Sequence, residues 1–252
     1  VYAPFYIRKD VVFDAILDEP LRSTRLAGDF SLSRETVDRA VKVLPALCPD
    51  CGADLEGGRE SIGFFCTNCN SCWYLTGDKL ERIPFFIMPG ANGDSAHLPF
   101  WCIKARFQGI VLESFADLVK LANLPRVIKK EWESRPLFFW VPAFKVNAGL
   151  LLRISRTVTI NQPRNTAEAG ASPALPYPIT FPVHEAAESI KVIIATLMTM
   201  KKKLWPILKD VSIFPVESRL AYIPFKRQGH YLIHSPLQLS VSVNSLKYGE
   251  HL

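Results

Sequence analysis

Five of the six cysteines fall within one short stretch, Cys48 to Cys72, and the sixth, Cys102, stands alone. The stretch reads Leu47-Cys48-Pro49-Asp50-Cys51-Gly52 and then Phe65-Cys66-Thr67-Asn68-Cys69-Asn70-Ser71-Cys72-Trp73. A Cys-x-x-Cys turn aims two thiolates at one centre. Two such turns supply four sulfurs for a tetrahedral ion at about 2.3 Å, a zinc pattern more than a disulfide one. Gly52 follows the second cysteine, where the chain folds back and a left-handed residue is favoured. Glu56-Gly57-Gly58-Arg59 supplies the hairpin tip between the pairs.

Two ligand sets are compatible with this spacing. Cys48, Cys51, Cys66 and Cys69 leave fourteen residues between the pairs; Cys48, Cys51, Cys69 and Cys72 leave seventeen, slightly nearer the usual rule. In the second set the last ligand is followed by Trp73, a poor residue for positive φ. In the first it is followed by Asn70, which tolerates that conformation. The reading favours the first set, with Cys72 as a small buried thiol and the alternative ligand.

With Cys-Pro-x-Cys-Gly as its most specific part, the segment at about 44–76 resembles a zinc-ribbon, or rubredoxin-knuckle, module. The resemblance implies one structural Zn2+ and contacts to protein or nucleic acid. True rubredoxins carry iron and electrons, but here the second knuckle lacks its glycine and the knuckles lie close together. Within 44–76 the only basic residue is Arg59, against Asp50, Asp54, Glu56 and Glu60, which makes a poor phosphate reader.

The remaining candidates for chemistry are few. There is no Walker loop, no G-x-G-x-x-G, no G-x-S-x-G and no H-E-x-x-H. His230 and His234 could share a strand face, but no acidic or cysteine ligand accompanies them. Cys102 lies between Trp101 and Ile103 in an apolar run, whereas a reactive thiol needs electropositive, accessible surroundings. The expectation is a protein that is not an enzyme.

The elements that must position the cysteines read as α+β: antiparallel hairpins and meanders with several helices and an inserted zinc ribbon. Extended segments are expected at 2–8, 11–17, 79–88, 97–107, 138–144, 219–226, 230–234 and 237–243. Ser33 and Ser114 are expected helix caps, the second helix ending before Pro125; a third helix is expected over 148–157. The longest expected helix runs from His184 to Leu204, with Ala187, Ile190, Ile193, Ile194, Leu197 and Leu204 on one face and Lys201-Lys202-Lys203 at its end. Gln162 to Pro182, rich in Pro and Ala, is expected to lie along a surface or a partner without secondary structure of its own.

Aliphatic–Pro–Phe triplets occur at Ala3-Pro4-Phe5, Ile83-Pro84-Phe85, Leu98-Pro99-Phe100 and Ile223-Pro224-Phe225. With 19 Pro and 16 Phe in 252 residues, chance gives roughly one Pro-Phe pair, so four prompt a search for a repeat. Their spacing is irregular, which excludes a solenoid but leaves a duplicated hairpin. The proline is expected on edge strands, strand starts or bulges, with the phenylalanine in the core.

The division expected is 1–43 (hairpin and helix), 44–76 (ribbon), 77–161 (mixed segment packing with the first hairpin), 162–182 (linker or docking arm) and 183–252 (long helix and meander). Hydrophobic residues at 48% and charged residues at 21% exclude a disordered chain. The longest nearly apolar run, Ile190 to Met200, is too short to span a bilayer. The chain begins at Val1 and not Met, which leaves room for an upstream piece. A net charge of +6 is mild and the basic residues are dispersed. The reading is a cytoplasmic, zinc-ribbon-containing interaction or accessory subunit with protein partners. Nucleic-acid binding is the first alternative; rubredoxin-like electron transfer or an unrecognised enzyme is the second. Weak membrane-surface contact through Lys201–Lys203 is compatible with it.

Overall fold

A computed structural model describes residues 5–8, 11–14, 19–20, 43–90, 95–163, 176–198, 208 and 210–249. The chain divides into two compact units, 1–43 and 44–252. In the first, β1 (Phe5–Arg8) pairs antiparallel with β2 (Val11–Asp14), which pairs with β3 (Glu19–Pro20). The helix expected after Ser33 lies outside the described residues.

The second unit is built on two long strands, β8 (Ser95–Gln108) and β10 (Ser212–Gln228), antiparallel along their length. On the far side of β8 lies β9 (Phe139–Pro142). On the far side of β10 lie the parallel β7 (Phe85–Ile87) and then the meander of β11 (Tyr231–His234) and β12 (Leu239–Ser242). The architecture is α+β, as expected. Four described helices accompany the sheets: α1 (Phe115–Leu121), α2 (Ala148–Asn161), α3 (Val183–Leu197) and α4 (Val243–Gly249). Ser114 caps α1 in a full capping box with Asp117, and Asn147 caps α2. The short α4 was not expected. Among the described residues no helix is long and apolar enough to cross a membrane.

Two expectations need correction. The long helix stops at Leu197, and Met198 is already extended. The apolar stripe Ile190, Ile193, Ile194, Leu197 would continue at Met200 and Lys201, so one more turn would turn a lysine toward the core. Ala186, not Ala187, completes its buried face. Lys201–Lys203 lie outside the described residues.

The triplet prolines are not confined to sheet edges. Pro99 and Pro224 sit inside the central pair, Pro99 opposite Tyr222 and Pro224 opposite His97. Alternation explains how. Tyr222 offers its carbonyl to Met88 N–H, so the Tyr222/Pro99 pair exchanges no bond across the ladder, and two residues on, neither does Pro224/His97. Each missing N–H therefore points away from the β8–β10 ladder. Pro99 instead accepts from Ala143 N–H (2.9 Å), and His97 from Tyr177 N–H (2.9 Å). The following residues, Phe100 and Phe225, are fully buried and stacked, ring centres 6.5 Å apart. Pro84 does obey the rule, immediately preceding β7. So does Pro215, at the register shift in β10.

Of the Pro/Ala-rich segment, 164–175 lie outside the described residues. Gln162 ends α2 in a left-handed conformation (φ 40°). Residues 176–182 cross the body of the unit through single bridges, Pro176 to His97 and Ile179 to Gly63.

Candidate metal centre

The ribbon is a three-stranded antiparallel sheet of β4 (Gly63–Cys66), β5 (Ser71–Thr76) and β6 (Lys79–Ile83). In the first knuckle Gly52 N–H closes on Cys48 C=O (2.8 Å) and Gly52 takes φ 74°. In the second, Asn70 takes φ 53°. Both cysteine turns thus end on a left-handed residue, as expected from their types. Between them, Glu56 and Phe65 exchange both backbone bonds (2.7 and 2.9 Å), drawing the knuckles together. Gly57 is required here: a Cβ would lie 2.6 Å from the Phe64 ring.

The knuckles bring Cys48, Cys51, Cys66 and Cys69 into one group, all four Sγ atoms within 4.8 Å of one another. Cys48 and Cys69 sulfurs are 3.6 Å apart, Cys51 and Cys66 sulfurs 3.4 Å. Four sulfurs at about 2.3 Å from a tetrahedral ion stand about 3.8 Å from each other. The group has the span that such an ion requires, and no disulfide joins any of its cysteines.

Strand register decides what Cys72 does. Cys66 lies opposite Ser71 and Phe65 opposite Cys72, so successive pairs face opposite sides. Cys66, Phe64 and Trp73 join the small core of the knuckles with Cys48 and Leu55. Phe65, Cys72 and Tyr74 join the main core. There Phe65 packs edge-on against Phe85 and Tyr222, and Tyr74 against Trp101. Burial pushes the Cys72 thiol up to about 12, the behaviour of a core residue. The first of the two sequence-compatible sets is therefore the one brought together; Cys72 is turned away from it.

Ser71 is a member of the site that sequence reasoning missed. It is 1% exposed, and its Oγ lies 2.9 Å from Cys69 Sγ and 3.6 Å from Cys48 Sγ. Trp73 Nε1–H donates to the same oxygen (2.8 Å). With the indole N–H supplied to its oxygen, the hydroxyl is set to donate its own proton to sulfur. The only hint in the sequence is a small hydroxyl residue beside the second knuckle, and its direction becomes visible only with the register.

The electrostatics favour thiolate at the first knuckle and oppose it at Cys66. Burial opposes ionisation of Cys48, but the Ser71 hydroxyl and the N–H groups of Cys51 and Asp50 hold it down at about 6. The Asn68 side chain and Ala53 N–H lower Cys51. At Cys66 the N–H of Cys69 favours the thiolate, yet burial and the neighbouring Cys51 and Cys69 thiols push it up to about 11. Four thiolates this close need a divalent ion among them. Arg82 of β6 pairs with Asp50 of the first knuckle (3.1 Å).

The other candidate residues form no site. His234 is buried and its Nδ1 accepts from Leu237 N–H (3.1 Å), while His230 sits in the β10–β11 turn. Cys102 is buried, its thiol pushed up to about 12 by that burial. No protein-family model matches the chain, and no curated protein or solved structure matches it either.

Proposed function

We propose that the chain is a non-catalytic interaction or assembly subunit whose ribbon holds one structural zinc on Cys48, Cys51, Cys66 and Cys69. The observation that carries the metal is the convergence of these four sulfurs, with their knuckle turns and backbone donors in place. A structural role follows from what the ion would join. It would tie the first knuckle to β4 and β5, whose other face is part of the main core. The ribbon's own cluster is small, and a bound ion supplies the cross-link that such a cluster lacks. The four thiols saturate a tetrahedral ion and leave no position for substrate, which supports structure over catalysis.

Metal analysis of single variants tests the site. Purified protein should carry about one zinc; Cys66→Ser should lose it and Cys72→Ser should keep it. The reverse would move the site to Cys69 and Cys72. An iron-type visible spectrum in protein from its native source would favour electron transfer instead. The assembly role is tested by native mass and co-purifying proteins: a lone monomer with no stable companion would remove it.

A further inference from the structure

Three arginines from two parts of the chain line one groove. Arg153 and Arg156, three apart and so on one face of α2, line it together with Arg126 from the loop after α1. The groove has a volume of about 510 Å³, and its other lining side chains, Thr157, Thr196 and Gln238 among them, are uncharged. Two of the guanidiniums each make one hydrogen bond at the surface: Arg153 donates to Ser240 C=O (3.1 Å) and Arg126 to Ile160 C=O (3.4 Å). Each keeps further N–H groups. Among the described residues none of the three pairs with a carboxylate, unlike Arg82 with Asp50 and Arg219 with Glu217.

Like charges lining one groove repel, weakly where water screens them, and an anion bound between them relieves that repulsion. The carbonyls ending α2 offset part of the charge, but a helix end carries only about half an elementary charge, against three guanidiniums. Arginine suits phosphate because its planar fork donates two parallel bonds to two oxygens. The volume lies within the range of small-molecule sites, roughly 300–1,000 Å³. A nucleic-acid backbone would call for a basic stripe continuing beyond one groove.

We infer that this groove, which shares no residue with the cysteine site, binds a small phosphorylated molecule through its phosphate groups. Isothermal titration of the zinc-loaded full chain at physiological salt tests it, with pyrophosphate, ADP and a short oligothymidylate as probes. Pyrophosphate and ADP should bind saturably below millimolar concentration. Arg156→Gln should weaken both about tenfold, the loss of one charge-assisted contact. Arg156→Lys should restore part of the loss, and Arg153→Gln with Arg156→Gln should abolish binding. Zinc content and Tm should not change in Arg156→Gln, whose guanidinium anchors nothing described. No saturable binding of either diphosphate, or binding indifferent to Arg156, overturns the inference. So does oligothymidylate binding far more tightly than ADP with the same arginine dependence, which would make the groove part of a nucleic-acid surface.

Discussion

Ser71 shows how much of a candidate metal site lies outside its four cysteines. Its hydroxyl stands between an indole donor and two sulfurs, so one side chain fixes both the Trp73 ring and the charge on the knuckle. Replacing it by alanine removes the donor to sulfur and leaves Trp73 Nε1 buried without its acceptor. Ser71→Ala is expected to fold and to retain zinc, but with affinity reduced on the order of 10–100-fold. Competition against a chromophoric chelator measures this; an unchanged affinity would reduce Ser71 to a packing residue. The four clustered cysteines themselves were legible in the sequence, because Cys-x-x-Cys spacing and the residue after each pair carry local geometry. Ser71 was not, because its role depends on which strand it faces.

At the scale of elements, what could be read was what is local. The capping box at Ser114, the knuckle turns and the β10–β11 hairpin each follow from a few neighbouring residue types. The central prolines could not be read. Whether Pro99 and Pro224 are tolerated depends on which member of each cross-strand pair points its N–H at the partner, a property of two strands more than a hundred residues apart. The end of α3 falls short of the expected Leu204 because Lys201 breaks the apolar stripe before it reaches that residue. The turn after β11 carries a pH expectation. His234 caps residues 235–237 through its neutral Nδ1, and burial lowers its pKa below the ordinary imidazole value. The unfolded chain then binds the proton more readily. The contribution to stability is full above the unfolded value of about 6.5 and is lost as pH falls toward the folded one. His234→Asn keeps an acceptor for Leu237 N–H and does not titrate. Between roughly pH 7.5 and 5.5, Tm should fall further in the parent than in the variant. Parallel curves would show that His234 is not the group responsible.

Across the 44–252 unit, the ribbon is not an appendage. Phe65 and Tyr74 belong to the main core, and Tyr74 Oη accepts from Val183 N–H at the start of α3 (3.2 Å). Gly63 lies so close to residues 176–179 that a Cβ would stand 2.4 Å from Ile179 Cδ1. Strand, crossing segment and helix are therefore locked to the knuckles. Zinc removal is expected to lower the stability of the whole unit and not only of the ribbon. A structural zinc can contribute on the order of 10 kcal/mol in small domains, and the large buried contact gives that energy a route into the sheet. Calorimetry with and without a strong chelator should show one transition moving to lower temperature. A separate early transition beside an unmoved main one would mean that the ribbon melts alone.

The two-sided pairing of β4 with β5 bears on how the chain reaches this state. Sliding β5 by one residue would turn Tyr74 away from Trp101 and carry the Ser71 hydroxyl into apolar surroundings. The knuckle thiols would lose Ser71 in the same movement, and Cys72 would come round to their side. Only the native alignment brings the four thiols, Ser71 and the aromatic core into place together. On the zinc reading, capture of the ion would favour the native register over a slipped one, because the native pairing alone presents the four thiols with Ser71 beside them.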